Sequence, residues 1–350
     1  MKHWLLITAC LLGLPTLVHA EEVLRVYNWA DYMDPGVIEN FQRARAVKVD
    51  YHTFTDASEL MDALKRGERF DLVFPADHQL HELVRSGLIA PLDPSQLPNR
   101  DNLDPYLLKL LAASGAEHHV APYMWGTVGL MINQPLAEQH YGGPLPDSWS
   151  LLFDRQDTDK LSTCGVAILN ARQEAVSLKM TYKGQRLGNS GARRIHKEVA
   201  GLLNPGVRLS PSDYSRFIEQ MANGELCVAM TWDALLRGED LAKRGLQFRI
   251  PQEGGLIFID SMAIPRTAQQ PQLAHAFIDF LLEPANVARN ARASHATPGI
   301  GEHLLSGVYA APGLSMDLET RRRLYLLDPL NAKQREALQA AWPPAAPEPD

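Results

Sequence analysis

The feature that most constrains the fold of this chain is a regular alternation of strand-like and helix-like segments from residue 23 onward. Residues 23–28 alternate apolar and polar side chains, and residues 70–75 are mostly apolar, as is typical of strands. Helices are predicted between them, with capping residues such as Asp56 and Glu59 at the start and Gly67 at the end. The first six elements cover 23–28, 35–44, 47–54, 56–67, 70–75 and 78–87 and alternate strand and helix. This order predicts an α/β fold with a parallel sheet and helices on its faces.

A second set of alternating segments fills the rest of the chain. The predicted strands cover 126–133, 164–169, 225–232, 246–251 and 256–265, and the predicted helices cover 174–184, 234–245, 269–282, 315–327 and 331–342. Two sheets of α/β type, joined by strands, imply two lobes with a ligand cleft between them. Ligands of open α/β sheets bind at the carboxyl ends of the strands, so the side chains at these ends are the candidates for function.

The first 20 residues have the pattern of a cleavable secretory signal. A short basic start at Lys2 and His3 precedes an apolar run over 4–18, and the small residue Ala20 ends the segment. The run is shorter than the roughly 20 residues that span a membrane. A lipoprotein-type cleavage before Cys10 is the alternative, although it would leave only a few apolar residues ahead of it. We therefore expect an exported, periplasmic protein with a soluble mature part.

The mature part is long enough for two ordinary domains and is mildly acidic. Of the 350 residues, 41 are Asp or Glu and 34 are Lys or Arg, which gives a formal net charge of −7. This balance argues against nucleic acid as a partner and is compatible with a cationic ligand.

Two cysteines, Cys164 and Cys227, remain after the predicted leader. An even number of cysteines in an oxidising compartment favours one disulfide. Each cysteine lies beside a strand-like run, so the bond would join two neighbouring strands. Two buried free thiols are the alternative.

Aromatic and acidic side chains recur where the predicted strands end. Trp29 and Asp31 follow the first strand, and Trp232 and Asp233 end a later one. An acid at such a place often caps the next helix, which is a sufficient interpretation for Asp77 and Asp233 but does not explain the paired tryptophans. The candidate binding residues are Trp29, Asp31, Tyr32, Asp77, Glu174, Trp232, Asp233, Phe258 and Asp260.

An aromatic wall with carboxylates at intervals is a receptor for an organic cation with an apolar body. Aromatic ring faces attract ammonium groups by about 0.5–2 kcal/mol, and carboxylates form charge-assisted hydrogen bonds with the same groups. Methylene groups between the charges are buried against the rings at about 0.8 kcal/mol each. If Asp31, Glu174 and Asp260 hold ammonium groups, the affinity is expected to fall as the pH drops towards ordinary carboxyl pKa values of about 4–5.

Two stretches, YNWADY at 27–32 and APYMWGTVGL at 121–130, are the most distinctive of the chain. Together with FDLVFP, CGVAIL, LCVAMTW and IPQEGGLIFIDSMAIP, they resemble bacterial periplasmic putrescine- and spermidine-binding proteins of ABC importers. The resemblance implies a two-lobed periplasmic binding protein fold, type II-like, that closes on its ligand by a hinge motion. It also implies a disulfide between Cys164 and Cys227. The polyamine contacts that it implies are Trp29, Asp31, Tyr32, Glu174, Trp232, Phe258 and Asp260.

The chain departs from the pattern of this family at several site positions. Ala30, Ala76 and His78 stand where the family has serines, and Leu235 stands where it has a site aspartate. The segment before Ala296 is also shorter and lacks the expected tyrosine. These departures leave open which amine is bound.

The resemblance implies a solute-binding protein that delivers a small-molecule polyamine to an ABC transporter permease in the inner membrane. We expect a monomer with no cofactor, no metal and no enzymatic activity. One alternative is a diverged protein that binds another amine-bearing ligand or serves a periplasmic sensor. An alternative of another class is a carbohydrate-active enzyme, since paired acids and tryptophans also suit sugars.

The two expected lobes are discontinuous in sequence. The first lobe comprises 21–131 and 255–290, and the second comprises 132–254 and 291–350. The chain is expected to cross between them near 127–130 and 253–256, beside Gly126, Gly129, Gly254 and Gly255. These glycines either absorb a hinge rotation or mark close packing.

Overall fold

The computed structural model describes residues 22–202, 206–209, 214–233, 241–306 and 316–343. The predicted signal segment 1–20, Leu235 and most of the predicted helix 234–245 lie outside the described residues. None of the helices in the described ranges has the length and apolar character that crossing a bilayer requires.

Eleven strands are present in the described ranges. They are β1 (Val23–Trp29), β2 (Lys48–Phe54), β3 (Leu72–Val73), β4 (Val120–Asn133), β5 (Val166–Ile168), β6 (Val207–Leu209), β7 (Val228–Trp232), β8 (Leu246–Arg249), β9 (Gly255–Ala263), β10 (Thr297–Pro298) and β11 (Leu324–Tyr325).

The same ranges contain fourteen α-helices. They are α1 (Pro35–Arg45), α2 (Ala57–Lys65), α3 (Asp77–Arg85), α4 (Pro105–Ala112), α5 (Gln134–Tyr141), α6 (Ser150–Phe153), α7 (Arg155–Leu161), α8 (Arg172–Tyr182), α9 (Ala192–Ala200), α10 (Tyr214–Ala222), α11 (Pro271–Leu281), α12 (Pro284–Ser294), α13 (Leu318–Arg322) and α14 (Ala332–Ala341).

Local signals in the sequence account for most of these helices. Asp34 caps α1, with its carboxylate accepting a hydrogen bond from Gly36 N at 2.7 Å. Asp56 and Glu59 form the predicted capping box at the start of α2. The prediction of a single helix over 315–327 was wrong. Only α13 is helical there, because the following residues form β11 and pair with β9, a tertiary contact that overrides the local helical pattern.

The strands form one continuous sheet rather than the two sheets predicted from the sequence. The order is β2-β1-β3-β9-β4-β7-β5-β6, with β8 and β10 on β4 and β11 on β9. The sets β1–β3 and β5–β7 are parallel inside each half, and the parallel arrangement predicted for the first set is confirmed. The prediction of two sheets failed because β4 has 14 residues and joins both halves, pairing antiparallel with β9 on one side and with β7 on the other.

Each half of the sheet has helices on both faces. In the first half, α1, α11 and α12 cover one face, where the Phe41 and Phe277 ring centroids are 4.6 Å apart, and α2, α3 and α4 cover the other. In the second half, a large cluster around Trp149 packs α6, α8, α9 and α14, and a smaller cluster around Met131 and Phe217 packs α10. The α/β class predicted from the sequence is confirmed.

The expected lobe boundary at residue 290 does not match this packing. Ala296, Ile300 and Leu305 lie in the same buried cluster as Leu24, which belongs to the first half. In addition, β10 pairs with β4 next to Trp125. The segment 296–305 therefore packs with the first half of the sheet. It directly follows α12, which packs in the same cluster.

The four glycines near the expected crossings are all closely packed. A Cβ atom built on Gly126 or Gly129 would lie 2.4 or 2.5 Å from a phenylalanine ring, and one on Gly255 would lie 2.7 Å from a backbone carbonyl. Gly254 has φ +91°, and its Cβ would lie 2.1 Å from the Arg323 carbonyl oxygen. Of the two interpretations of these glycines, close packing is the one that the structure shows.

Cys164 and Cys227 form a disulfide with Cα atoms 5.5 Å apart. The two residues are buried and precede β5 and β7, which are neighbours in the sheet. The predicted disulfide and its placement between neighbouring strands are confirmed.

Candidate ligand-binding cleft

A cavity of about 810 Å³ is lined by residues from both halves of the sheet. This volume lies in the range of small-molecule binding sites, roughly 300–1,000 Å³. Eight of the nine binding residues predicted from the sequence line it: Trp29, Asp31, Tyr32, Asp77, Glu174, Trp232, Phe258 and Asp260. The elements that bring them together are β1, α3, α8, β7 and β9.

The first half contributes an aromatic wall at the end of β1. Trp29 packs against Phe54 with ring centroids 4.5 Å apart and against Tyr32 at 6.4 Å. Phe54 ends β2, and the parallel register of β1 and β2 pairs it with Trp29. Phe54 was not among the residues predicted from the sequence. The βαβ order nevertheless indicates its position, because parallel neighbours end side by side at the same edge of a sheet.

The loop that carries Asp31 is held in an unusual backbone conformation. Asp31 has φ +59°, a left-handed value that few non-glycine residues adopt. Ala30 N donates to Phe54 O at 2.9 Å, and the Tyr123 hydroxyl donates to Tyr32 O at 2.6 Å, so the loop is fixed on both sides. The Asp31 carboxylate is exposed at the cavity as a result.

Trp232 and Phe258 contribute rings to the cavity from β7 and β9. Phe258 and Asp260 lie in the middle of β9, so the prediction that they lie at the end of a strand is wrong. They are two residues apart, so they face the same side of the strand. Gly126 is opposite Phe258 in the register of β4 and β9, and only the absence of a side chain there leaves space for the ring.

Asp77 and Asp260 form a buried pair of carboxyl groups in the cavity wall, called here the Asp77–Asp260 pair. They are 5% and 4% exposed, and an isolated β-bridge joins Ala76 to Asp260. Asp77 Oδ1 accepts a hydrogen bond from Ile259 N at 3.3 Å, whereas Asp77 Oδ2 is buried without a hydrogen-bond partner. Burial raises the pKa of Asp77 to about 7, and burial together with the charge of Asp77 raises the pKa of Asp260 to about 8.

Trp29 and Tyr32 present their donor groups to Asp260. The hydrogen bond from Tyr32 opposes the rise in the Asp260 pKa. The Trp29 indole N–H lowers the same pKa, although the buried Nε1 atom does not reach full hydrogen-bond geometry with any acceptor. Burial, and then the negative charge of Asp260, raise the pKa of the Tyr32 hydroxyl well above 10. The aromatic residues therefore orient the carboxylate besides forming the wall.

Glu174 supplies a carboxylate from the second half. It lies in the first turn of α8, where the helix dipole favours a negative charge. Burial raises its pKa, the neighbouring Arg172 lowers it, and Asp56 raises it further. The expected titration window of about 4–5 was therefore too low for the buried acids of this cleft, because a sequence does not show how far a carboxylate is removed from water.

Asp233 is the one predicted binding residue that does not line the cavity. It is fully buried, and its Oδ1 accepts a hydrogen bond from Thr127 N at 2.9 Å. The bond lies where β4 passes from one half of the sheet to the other. Asp233 thus joins two strands and is not among the residues that line the cavity.

Three of the departures from the family pattern fall on the cavity. Ala30, Ala76 and His78 line it, as do Ser294 and His295, which come just before Ala296. Burial lowers the pKa of His78 to about 4, with Asp56 opposing and Arg335 adding to that effect. His78 is therefore neutral at physiological pH.

Several lining residues had no signal in the sequence. Ile218 and Glu219 come from α10, and Arg244 precedes β8; each lies in an ordinary amphipathic or loop segment. Their position in the cleft depends on how the second half folds, which no local pattern reveals. Within the described ranges, no group of three or more His, Cys, Asp or Glu side chains is arranged to hold a metal ion.

The family model for bacterial extracellular solute-binding proteins matches residues 69–324. The chain belongs to this family. It is 32% identical to the putrescine-binding periplasmic protein PotF of Escherichia coli (strain K12), over 97% of both chains. It is 31% identical to the putrescine-binding periplasmic protein SpuD of Pseudomonas aeruginosa (strain UCBPP-PA14), over 92% of this chain and 91% of the relative.

Solved structures show the same fold. The TpPotD lipoprotein of Treponema pallidum superposes with a TM-score of 0.75 at 21% identity, covering 92% of this chain and 98% of that one. Iron-bound HitA from Pseudomonas aeruginosa superposes with a TM-score of 0.65 at 19% identity, covering 91% and 98%. The two-lobed class predicted from the sequence is confirmed. Because a fold shared with an iron-bound protein does not define the ligand, the side chains of the cleft must do so.

Proposed function

We propose that this chain is a periplasmic solute-binding protein that captures a polyamine of the putrescine or spermidine class and delivers it to an ABC importer. The observation that carries the proposal is the buried Asp77–Asp260 pair, which shares with the half-buried Glu174 a cavity that aromatic rings also line. In the described ranges, no arginine or lysine forms an ion pair with these three carboxyl groups. Among the described residues that line the cavity, the acids outnumber Arg244, the one arginine or lysine, so the cleft has an excess of acidic groups.

A polyamine supplies what this cleft needs. Its ammonium groups would pair with the buried carboxylates, each contact being a charge-assisted hydrogen bond. Trp29 and Trp232 would cover the ligand with ring faces that attract cations and exclude water from the methylene segments. Since unpaired carboxylates are unfavourable to bury, closure of the cleft is favoured when the cation is present.

The similar proteins support the same proposal. PotF and SpuD are named putrescine-binding periplasmic proteins, and the chain is related to them over nearly its whole length. From this relationship we infer export through the segment 1–20, a monomer that docks on an inner-membrane permease, and no enzymatic activity.

We further propose that the lobes follow the packing of the sheet halves. The first lobe would comprise 21–131 and 255–306, and the second would comprise 132–254 and the last part of the chain, including α14. The change from the division expected from the sequence is supported by the burial of 296–305 in the core of the first half.

Calorimetric titration of the mature, ligand-stripped protein with putrescine, cadaverine, spermidine and spermine tests the function. Tight binding of one amine is expected, with 1,4-butanediol, which has hydroxyls in place of the two amines of putrescine, giving no heat. Asp260→Asn should weaken binding at least tenfold, because one charge-assisted contact is lost. Asp101→Asn, a change at an exposed acid outside the cavity, should leave the affinity unaltered. No binding of any of the four amines would refute the proposed function.

A further inference from the structure

The Asp77–Asp260 pair has a property that binding alone does not require. Two carboxyl groups are more than nine-tenths buried on adjoining backbone segments, and one oxygen, Asp77 Oδ2, has no hydrogen-bond partner. Asp77 is also absent from the polyamine contacts that the family resemblance implies. Asp77 therefore adds a second acid beside Asp260, which is one of the contacts that the resemblance implies.

The surroundings of the pair supply little compensation for two negative charges. The backbone N–H of Ile259 and the donors of Trp29 and Tyr32 are the polar groups that favour ionisation most directly. The other titratable and charged groups on the elements around the pair and in the cavity wall are Asp31, Asp56, His78, Arg172, Glu174, Glu219, Asp233, Arg244, His295 and Arg335. Glu174 raises the pKa of Asp77, and His78 is neutral at pH 7. Arg172 and Arg335 act on Glu174 and His78, whereas Arg244 is the one arginine or lysine among the described residues that line the cavity.

We propose that the Asp77–Asp260 pair holds a proton in the empty cleft and that an ammonium group of the ligand displaces this proton to solvent on binding. The inference rests on the proposed function, because it needs an amine in the cleft. No covalent bond of the ligand changes. A proton held by one carboxyl group of the pair is exchanged for an ammonium group, and the net charge at the pair is the same before and after.

The physical reason is that two neighbouring carboxylates in a dry site do not both ionise, whereas an adjacent cation permits it. Burial places the pKa of Asp77 at about 7, and burial with the charge of Asp77 places that of Asp260 at about 8, so at pH 7 the pair in the empty cleft carries at least one proton. A paired ammonium group lowers both values. The ligand therefore competes with protons, and its affinity falls by up to about tenfold per pH unit for each proton displaced.

The proton count is measured by calorimetric titration with putrescine at pH 7 in phosphate, HEPES and Tris, buffers with different ionisation enthalpies. The slope of the observed binding enthalpy against the buffer ionisation enthalpy gives the number of protons exchanged. We expect release of about one proton per putrescine bound. Because this measurement uses the unaltered protein, it does not depend on whether a variant folds.

Two variants locate the source of the proton. Asp77→Asn should reduce the number of protons released, since position 77 no longer holds a proton and Asp260, although still buried, loses the negative neighbour that adds to the rise in its pKa. Asp31→Asn is the matched control. It removes a carboxylate from the same cavity at a solvent-exposed position, so it should weaken putrescine binding without changing the number of protons released.

The outcomes separate the two proposals. Binding with the same enthalpy in all three buffers, or uptake of protons, would overturn the proton exchange and leave polyamine binding intact. Proton release that Asp77→Asn leaves unchanged would also overturn it, because the proton would come from another group. No binding of putrescine or of the longer amines in any buffer would instead overturn the proposed function.

Discussion

Replacement of Asp77 by asparagine is expected to stabilise the empty protein at alkaline pH while weakening its binding of amines. The reason is that the Asp77 carboxyl is buried without an ion-pair partner in the described residues, and its Oδ2 lacks a hydrogen-bond donor. Asparagine has nearly the same shape and carries no charge. Its Oδ1 atom can keep the hydrogen bond from Ile259 N.

The magnitude follows from the shift in the pKa of Asp77. Burial raises this pKa from 3.8 to about 7, so folding favours the protonated form. One pKa unit corresponds to about 1.36 kcal/mol, so ionising Asp77 destabilises the folded state by about 4 kcal/mol above pH 7. This destabilisation is absent below the unfolded pKa, grows as the pH rises towards 7, and is less than about 2 kcal/mol at pH 5. Allowing for an imperfectly satisfied amide, we expect a gain of about 2–4 kcal/mol at pH 8.

Thermal unfolding followed by circular dichroism, without ligand, measures the effect at pH 5 and pH 8. For lobes of this size, the Tm of Asp77→Asn should rise by roughly 4–8 °C at pH 8 and by clearly less at pH 5. Asp101→Asn serves as the control and should change the stability by less than about 0.5 kcal/mol at either pH. With saturating putrescine, the unaltered protein should have the higher Tm of the two. Only the unaltered protein has both carboxyl groups of the pair to bind an ammonium group of the ligand.

Either of two results would refute this reasoning. A lower Tm for Asp77→Asn at pH 8 would mean that the carboxylate makes stabilising contacts in the empty protein. An equal gain at pH 5 and pH 8 would mean that the effect does not come from the buried charge.

Three further predictions concern the walls and the core. Trp232→Ala should weaken putrescine binding at least tenfold by calorimetry, since a cation–π face and buried apolar area are lost, and an unchanged affinity would exclude this ring from the ligand wall. Gly126→Ala should displace the Phe258 ring and lower the free energy of unfolding by about 1–3 kcal/mol in urea titration, whereas unaltered stability would contradict the close packing seen at this glycine. The Cys164–Cys227 bond closes a separation of 63 residues, so its reduction should lower the stability by about 4 kcal/mol, and thiol titration of the denatured, unreduced protein should find no free thiol.

The sequence by itself determined the features that depend on neighbours along the chain. Caps such as Asp56 and Glu59 start helices through hydrogen bonds three residues away, and these were predicted correctly. Alternating apolar residues defined β1 and thereby placed Trp29 and Asp31 at a strand end, where parallel strands present ligand-binding residues. The disulfide also followed from the number of cysteines and the compartment, before any geometry.

Only the tertiary structure decided what each acid does. Asp77 and Asp233 look alike in the sequence, since each follows a strand and precedes a predicted helix, but Asp77 faces the cavity while Asp233 binds Thr127 N in the sheet. The difference arises because β4 and β9 join the two halves into one sheet, a pairing between residues more than one hundred positions apart. Burial depends on such distant contacts, and burial is what raises the pKa of Asp260 and turns an ordinary acid into a site for a cation or a proton.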